Sequence, residues 1–353
     1  MSKVSPAEVI RIISTPYEKT MNIKTVEMHT NGDPVRLVTS GCPEIKGKDV
    51  LEKMKFFKNN LDHVRRLLIL EPRGHVDMYG AVLVEPDHPK AHIAAFFIHS
   101  SGYGTMCGHA TIAIARYAVD HGFVSDVQEP ETAVNVQCPC GLVRAYVEYK
   151  NGKTGASRIH TVPAFVFATD VEIEVVGYGK LKVDISYGGA FHAYVSADVF
   201  GLDMRTSPVR HIIAAAGALN RALVKQVKVE HPDNDDLSFI CGTVMSDGKD
   251  VYDDGPTVNV MICGNSQVSR SPCGSGTTGR IALFYHKGLL AVDKPREFQN
   301  LIGCNFIGKV VRSTKCGKFD AVIVELKGHG YYIGSANFTV EEDDPLKDGF
   351  LID

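Results

Sequence analysis

No apolar run in this 353-residue chain is long enough to cross a bilayer as a helix. Residues 1–20 also lack the continuous apolar core of a signal peptide, so a cytoplasmic location is expected. Neither sign of charge dominates. Lys and Arg number 38 against 41 Asp and Glu, a formal net charge of −3 with a pI near 6.5. That balance offers no attraction to nucleic acid or to an anionic membrane. The nine cysteines have no framework spacing, which points to a reducing compartment rather than to a disulfide scaffold. Cys138-Pro139-Cys140 invites a metal reading, yet no second Cys or His pair lies at ligand spacing, so no metal site is expected. A P-loop and a dinucleotide-type glycine motif are both missing, so no nucleotide cofactor is implied.

What is present is enough apolar sequence, 44 % of residues, for two substantial cores. It also holds a repeated motif. Ser271-Pro272-Cys273-Gly274-Ser275-Gly276 is a polar turn of small residues, followed by an apolar helix that stops at Gly288. Met106-Cys107-Gly108-His109-Ala110-Thr111 opens a second apolar helix that stops near Gly122. A shift of 166 positions lays Cys107 on Cys273, Gly108 on Gly274, Thr111 on Thr277 and Gly122 on Gly288. At a nearby shift of 157, the segment 26–32 lies over 183–189, and both continue into strand-like residues. The chain therefore reads as a divergent internal duplication. Each half has strand, Gly turn and strand ahead of a Cys-Gly helix.

In chain order, Ser5-Pro6 starts a short helix through Ile13 in an N-terminal arm, residues 1–20. The first half is expected over 21–172 and the second over 173–353, with the C-terminal tail packing back on the first. A hairpin spans Thr25–Thr39 and turns at Asn31-Gly32. Helical spacing covers Asp49–Leu68, with Glu52, Lys53, Lys55, Arg65 and Arg66 as a solvated face. The polar loop from Glu71 to Gly80, with Arg73, His75 and Asp77, reads either as functional or as a structural corner. Strands follow at 93–98, 134–149, 158–169 and 180–195, and a helix runs from Ser207-Pro208 to about Val227. Further strands occupy 257–264, 306–312, 321–327 and 331–341. One conspicuous apolar helix per half among many strands predicts a mixed α+β fold.

A cysteine at a helix start sits where N–H groups are unpaired and the dipole is positive, an environment that lowers a thiol's pKa. A lone cysteine there reads first as a small buried hydrophobe at a helix cap. Two equivalent ones permit more. If the halves face each other, a pseudo-two-fold axis brings both thiols to opposite sides of one cleft, with N–H groups aimed at a carboxylate. A thiolate then removes a Cα proton from one face and a thiol returns one from the other. The N–H groups hold the charge that builds on the carboxylate. No metal or pyridoxal is required for this.

On these motifs the chain resembles the proline racemase family, with its 4-hydroxyproline epimerases and trans-3-hydroxy-L-proline dehydratases. The resemblance runs from Met28-His29-Thr30 through Glu71-Pro72-Arg73-Gly74-His75 to Asp348-Gly349-Phe350. It implies a diaminopimelate epimerase-like fold, two pseudo-symmetric domains each with β-structure wrapped around a central helix. It also implies a cofactor-free homodimer whose partner is a small molecule, proline or a hydroxyproline. Carried over, Cys107 and Cys273 are the acid/base pair, and Gly108 and His109 with Gly274 and Ser275 cradle the carboxylate. Ser269 stands where the family usually has an Asp against the ring nitrogen. Tyr79 and His192 are candidates for the pocket wall. The dehydratases usually carry Thr at the second cysteine position, so Cys273 favours a racemase or hydroxyproline 2-epimerase. Leu61-Asp62-His63-Val64-Arg65-Arg66 and Ser246-Asp247-Gly248-Lys249-Asp250 look most like the animal dehydratases, which makes trans-3-hydroxy-L-proline dehydratase the alternative. Ser269 motivates a third reading, a weakly active homologue that binds a small amino acid.

Overall fold

The computed structural model describes residues 21–264 and 267–352, and the helix expected near Ser5–Ile13 lies outside them. The described chain opens with β1 (Asn22–Thr30) and β2 (Asp33–Ser40), paired antiparallel. Asn31 and Gly32 turn the hairpin with φ of 51° and 93°, which Asn-Gly tolerates and a β-branched residue does not.

Where spacing predicts one helix over 49–68, two form: α1 (Val50–Asn60), capped by the Asp49 side chain, and α2 (Asp62–Ile69). The break at Leu61 lets Phe57 and Met54 on one helix and Val64 and Leu68 on the other join a single apolar cluster with Phe96. Arg65 departs from the expected solvated face. It is buried, pairs with Asp62 and donates to the carbonyls of His99 and Ser100, which tie down its charge.

Next come β3 (Tyr79–Val84), β4 (Ile93–His99), β5 (Gly102–Gly104) and α3 (Gly108–Asp120). After α3 lie β6 (Glu131–Cys138), β7 (Gly141–Lys150) and β8 (Lys153–His160). The stretch 134–149 is thus a hairpin rather than one strand, and Cys138-Pro139-Cys140 leads into its turn, with Cys138 opposite Gly141.

The remainder is β9 (Ala164–Val175), β10 (Gly179–Tyr187), β11 (Phe191–Ser196), α4 (Val209–Gln226), β12 (Ile240–Ser246) and β13 (Thr257–Cys263). Then follow β14 (Gln267–Val268), α5 (Gly274–His286), β15 (Arg296–Gln299), β16 (Asn305–Cys316), β17 (Phe319–Gly328) and β18 (Gly330–Thr339).

The pairing pattern repeats along the chain. The β2–β3 and β4–β6 pairs are parallel, and so are their counterparts β11–β12 and β13–β15. The antiparallel pairs β3–β4, β6–β7 and β7–β8 recur as β12–β13, β15–β16 and β16–β17. The last correspondence crosses the halves: β18 pairs with β1 as β9 pairs with β10. A β9–β17 pairing closes a ring of strands around α5, and β8–β17 joins the two layers. Past β18, Phe350 bridges to Glu71, and Arg73 reaches the Lys347 carbonyl and Asp344.

Each central helix is buried along nearly its whole length because each is surrounded. Around α3 lie Met28, Leu37, Phe97, Val134 and Ile159, joined by Phe306 and Leu326 from the second layer. Around α5 lie Ala164, Phe298, Val310 and Val324. No helix among the described residues is long and apolar enough to cross a membrane.

Candidate active site

The two central helices meet head to head. A Cβ built on Gly108 would stand 2.7 Å from the Gly274 Cα, and the reverse approach is closer still. Only glycine at both positions allows that contact. The first N–H groups of a helix have no carbonyl one turn back to bond, and Gly108, His109, Gly274 and Ser275 begin two helices whose positive dipole ends are in contact.

Cys107 and Cys273 are the residues ahead of these helices. The Cys107 Sγ accepts from the Ala110 N–H at 3.4 Å, and the Cys273 Sγ from the Gly276 N–H at 3.3 Å. Their backbones differ. Cys107 is extended at φ −148°, whereas Cys273 holds φ 64° and ψ 118°, a strained conformation for a side chain that costs about 1–3 kcal/mol. Their neighbours differ too. The Cys107 Sγ has the His109 Nδ1 at 3.2 Å, while the Cys273 Sγ has the Ser275 hydroxyl at 3.7 Å.

The helix-start argument predicts depressed thiol pKa values, and the structure reverses the sign. Burial pushes Cys273 up to about 11, and Cys107 further, against the pull of the capping N–H groups and with Asp33 adding to the rise. Both are nearly sealed from water, so losing solvation of the thiolate outweighs the N–H and hydroxyl contacts, with Tyr79 beside Cys107 and Ser275 beside Cys273. Burial also lowers the pKa of His109, leaving its imidazole neutral at pH 7.

A cavity of 290 Å³ lies over this meeting point. Its lining includes all seven residues singled out from sequence: Cys107, Gly108, His109, Ser269, Cys273, Gly274 and Ser275. Tyr79 also lines it, its ring edge-on to His109 at 4.9 Å. His192 does not. It is buried in β11, with Nδ1 3.2 Å from the Ala190 carbonyl. The polar loop divides between corner and cavity. Arg73 faces the C-terminal tail, whereas Asp77 lines the cavity, pairs with Arg270 and accepts the Val268 N–H.

Asp33 escapes sequence reasoning. It follows the Asn-Gly turn and is nearly sealed. It accepts the hydroxyls of Ser269 at 2.5 Å and Ser271 at 2.8 Å, and the Arg270 N–H at 3.1 Å. An acid beside a tight turn is the only local signal, and it is a weak one. Cys241 and Cys263, with Sγ atoms 3.8 Å apart, also line the cavity, and their sequence spacing carries no sign of that.

Two halves of matching strand order, each wrapped around a helix whose start faces the other, define the diaminopimelate epimerase-like α+β fold. The proline racemase family model matches residues 25–351, and the chain belongs to that family of enzymes. Trans-L-3-hydroxyproline dehydratase of Saccoglossus kowalevskii is 56 % identical over 326 residues, 92 % of this chain and 100 % of that protein. Trans-3-hydroxy-L-proline dehydratase of Homo sapiens is 50 % identical over 334 residues, 94 % of each. A solved hydroxyproline epimerase from Agrobacterium vitis with bound trans-4-hydroxy-L-proline superposes with a TM-score of 0.87 at 25 % identity, covering 96 % of each chain. A probable proline racemase from Agrobacterium radiobacter with bound carbonate gives 0.88 at 27 %, covering 94 % of this chain and 96 % of the other.

Proposed function

We propose that this enzyme dehydrates trans-3-hydroxy-L-proline, with Cys107 as the base at Cα. The observation that carries the reading is the whole-chain likeness to relatives of that name, 56 % identical across the full length of one of them. It displaces inversion, which Cys273 had favoured, as the first reading. The geometry is compatible because the two thiols are unequal: only Cys107 has an imidazole against its sulfur.

The substrate carboxylate sits at the N–H groups of Gly108, His109, Gly274 and Ser275, which bind it more strongly as charge builds on it during proton loss. In the trans isomer the Cα hydrogen and the 3-hydroxyl lie on the same ring face, so one face suffices. The Cys107 thiolate takes the Cα proton, and the C–H pair becomes the C2–C3 double bond as the C3–O bond breaks. The departing hydroxide takes a proton from Cys107, relayed through His109, and leaves as water. The enamine product tautomerises to pyrroline-2-carboxylate, and the enzyme returns to its starting protonation.

Inversion at Cα is the second reading, favoured by Cys273 on the opposite helix start. L-Proline, trans-4-hydroxy-L-proline and trans-3-hydroxy-L-proline, each incubated in deuterated water, separate the two. Dehydration gives pyrroline-2-carboxylate from the last alone. It survives Cys273→Thr within about tenfold and falls by roughly 10²–10⁴ in Cys107→Ser. Inverted, Cα-deuterated product from either of the other substrates, abolished by Cys273→Thr, would replace the dehydratase reading with the racemase or epimerase one.

A further inference from the structure

A cyclic α-amino acid enters the cavity as a zwitterion, and the helix starts account for only its carboxylate. Its ring ammonium needs an anion, because a buried unpaired charge is strongly disfavoured. Among the described residues two carboxylates line the cavity, Asp33 and Asp77. Asp77 is already engaged by the Arg270 guanidinium and the Val268 N–H. Asp33 is buried at 3 % exposure and has only neutral donors: the hydroxyls of Ser269 and Ser271 and the Arg270 N–H. Among the described residues no Lys or Arg pairs with it, and the nearest basic side chain is His109, with Nδ1 at 3.6 Å.

We propose that Asp33 is the carboxylate that receives the ring ammonium of the bound amino acid, with Ser269 and Ser271 fixing its orientation. The negative charge absent from position 269 is supplied from the other half of the molecule, 236 residues earlier in the chain. The assignment rests on reading the cavity as a site for a cyclic α-amino acid. It also gives Asp33 a second effect. Its charge raises the pKa of both Cys107 and Cys273, so an arriving ammonium that neutralises it favours the thiolate only once substrate is in place.

Calorimetric titration of the full chain tests this with three carboxylates of similar ring size. L-Proline carries the ring ammonium, (S)-tetrahydrofuran-2-carboxylate has an ether oxygen there, and pyrrole-2-carboxylate has a neutral N–H. The wild type is expected to bind L-proline more tightly than the ether by about tenfold or more, the scale of a charge-assisted hydrogen bond. Asp33→Asn should erase that preference and change pyrrole-2-carboxylate affinity by less than about threefold, since neutral N–H donors still find an acceptor. Ser269→Asp in the Asp33→Asn background should restore the preference for L-proline. An equal affinity for proline and the ether in the wild type overturns the proposal, as does a preference retained in Asp33→Asn. Loss of all three ligands in Asp33→Asn also overturns it, by showing that Asp33 holds the loop rather than the ligand. Every readout is binding, so a failure of dehydration leaves this test intact.

Discussion

At the scale of single residues, the thiols decide how the site answers to pH. An ordinary thiol titrates near 9.0, whereas burial carries Cys273 to about 11 and Cys107 beyond. With Cys107 as the proposed base, which must be deprotonated to act, kcat/KM should climb as pH rises from 7 to 9 rather than peak near neutrality. Stability should move the other way. These folded-state pKa values are raised, so the thiols' contribution is fully present below pH 9 and is lost as pH rises toward 11. Rate measurements and thermal melts across pH 7–10.5 check both slopes. A plateau in kcat/KM already at pH 7 would show that the resting Cys107 is a thiolate, against the burial argument.

At the scale of elements, the site depends on how closely two helix starts approach. Gly108 and Gly274 are in backbone contact, and any side chain there must push α3 and α5 apart. Gly274→Ala would ordinarily favour a helix, by up to about 1 kcal/mol. Here the added methyl meets backbone rather than a movable side chain, and overpacking of that kind costs about 1–3 kcal/mol. The expected outcome is a lower melting temperature and a turnover loss larger than Cys273→Thr produces, because the proposed N–H cradle is spread for any substrate. A thermally unchanged, active Gly274→Ala would mean that the helices do not touch. The break between α1 and α2 belongs to this scale as well. Periodicity carried the pattern through Leu61, and only the need to cover one sheet layer with both segments divides it.

At the scale of the molecule, the halves are joined by exchanged and shared strands. β18 completes the layer around α3, β9 completes the ring around α5, and β17 pairs with β8 across the join. Charges reinforce that seam: Arg158 on β8 meets Glu325 on β17 at 2.7 Å, and His160 meets the same carboxylate at 3.1 Å. The His160 hydrogen bond and then the Arg158 charge hold Glu325 at about 2, against its burial. A lowered carboxylate pKa contributes stability above its unfolded value near 4.5, and that contribution disappears as pH falls through 2. Glu325→Gln should therefore melt a few degrees below wild type at pH 7, and the gap should close between about pH 4 and 2. A gap that persists at pH 2 would trace the loss to packing rather than to charge.

Much of this was legible in the residues themselves. The two Cys-Gly starts, the apolar helices behind them and their common glycine stops are local signals at fixed spacing. They placed α3, α5 and the strand-rich α+β class, and they pointed to Cys107, Cys273 and the glycines after them, while His109, Ser269 and Ser275 came from the family resemblance; all seven line one cavity. Strand propensity and turn chemistry act over a few neighbours, and a sequence carries them openly. Three things came only from the tertiary structure. β18 sits beside β1, and β17 beside β9, because sheet edges find partners by surface and register, not by chain order. The thiol pKa values rise because burial is set by everything packed around Cys107 and Cys273, and it outweighs the helix start that the sequence displays. Asp33 reaches Ser269 because duplicated halves fold face to face, and a hydrogen bond between such distant positions has no local cause to read.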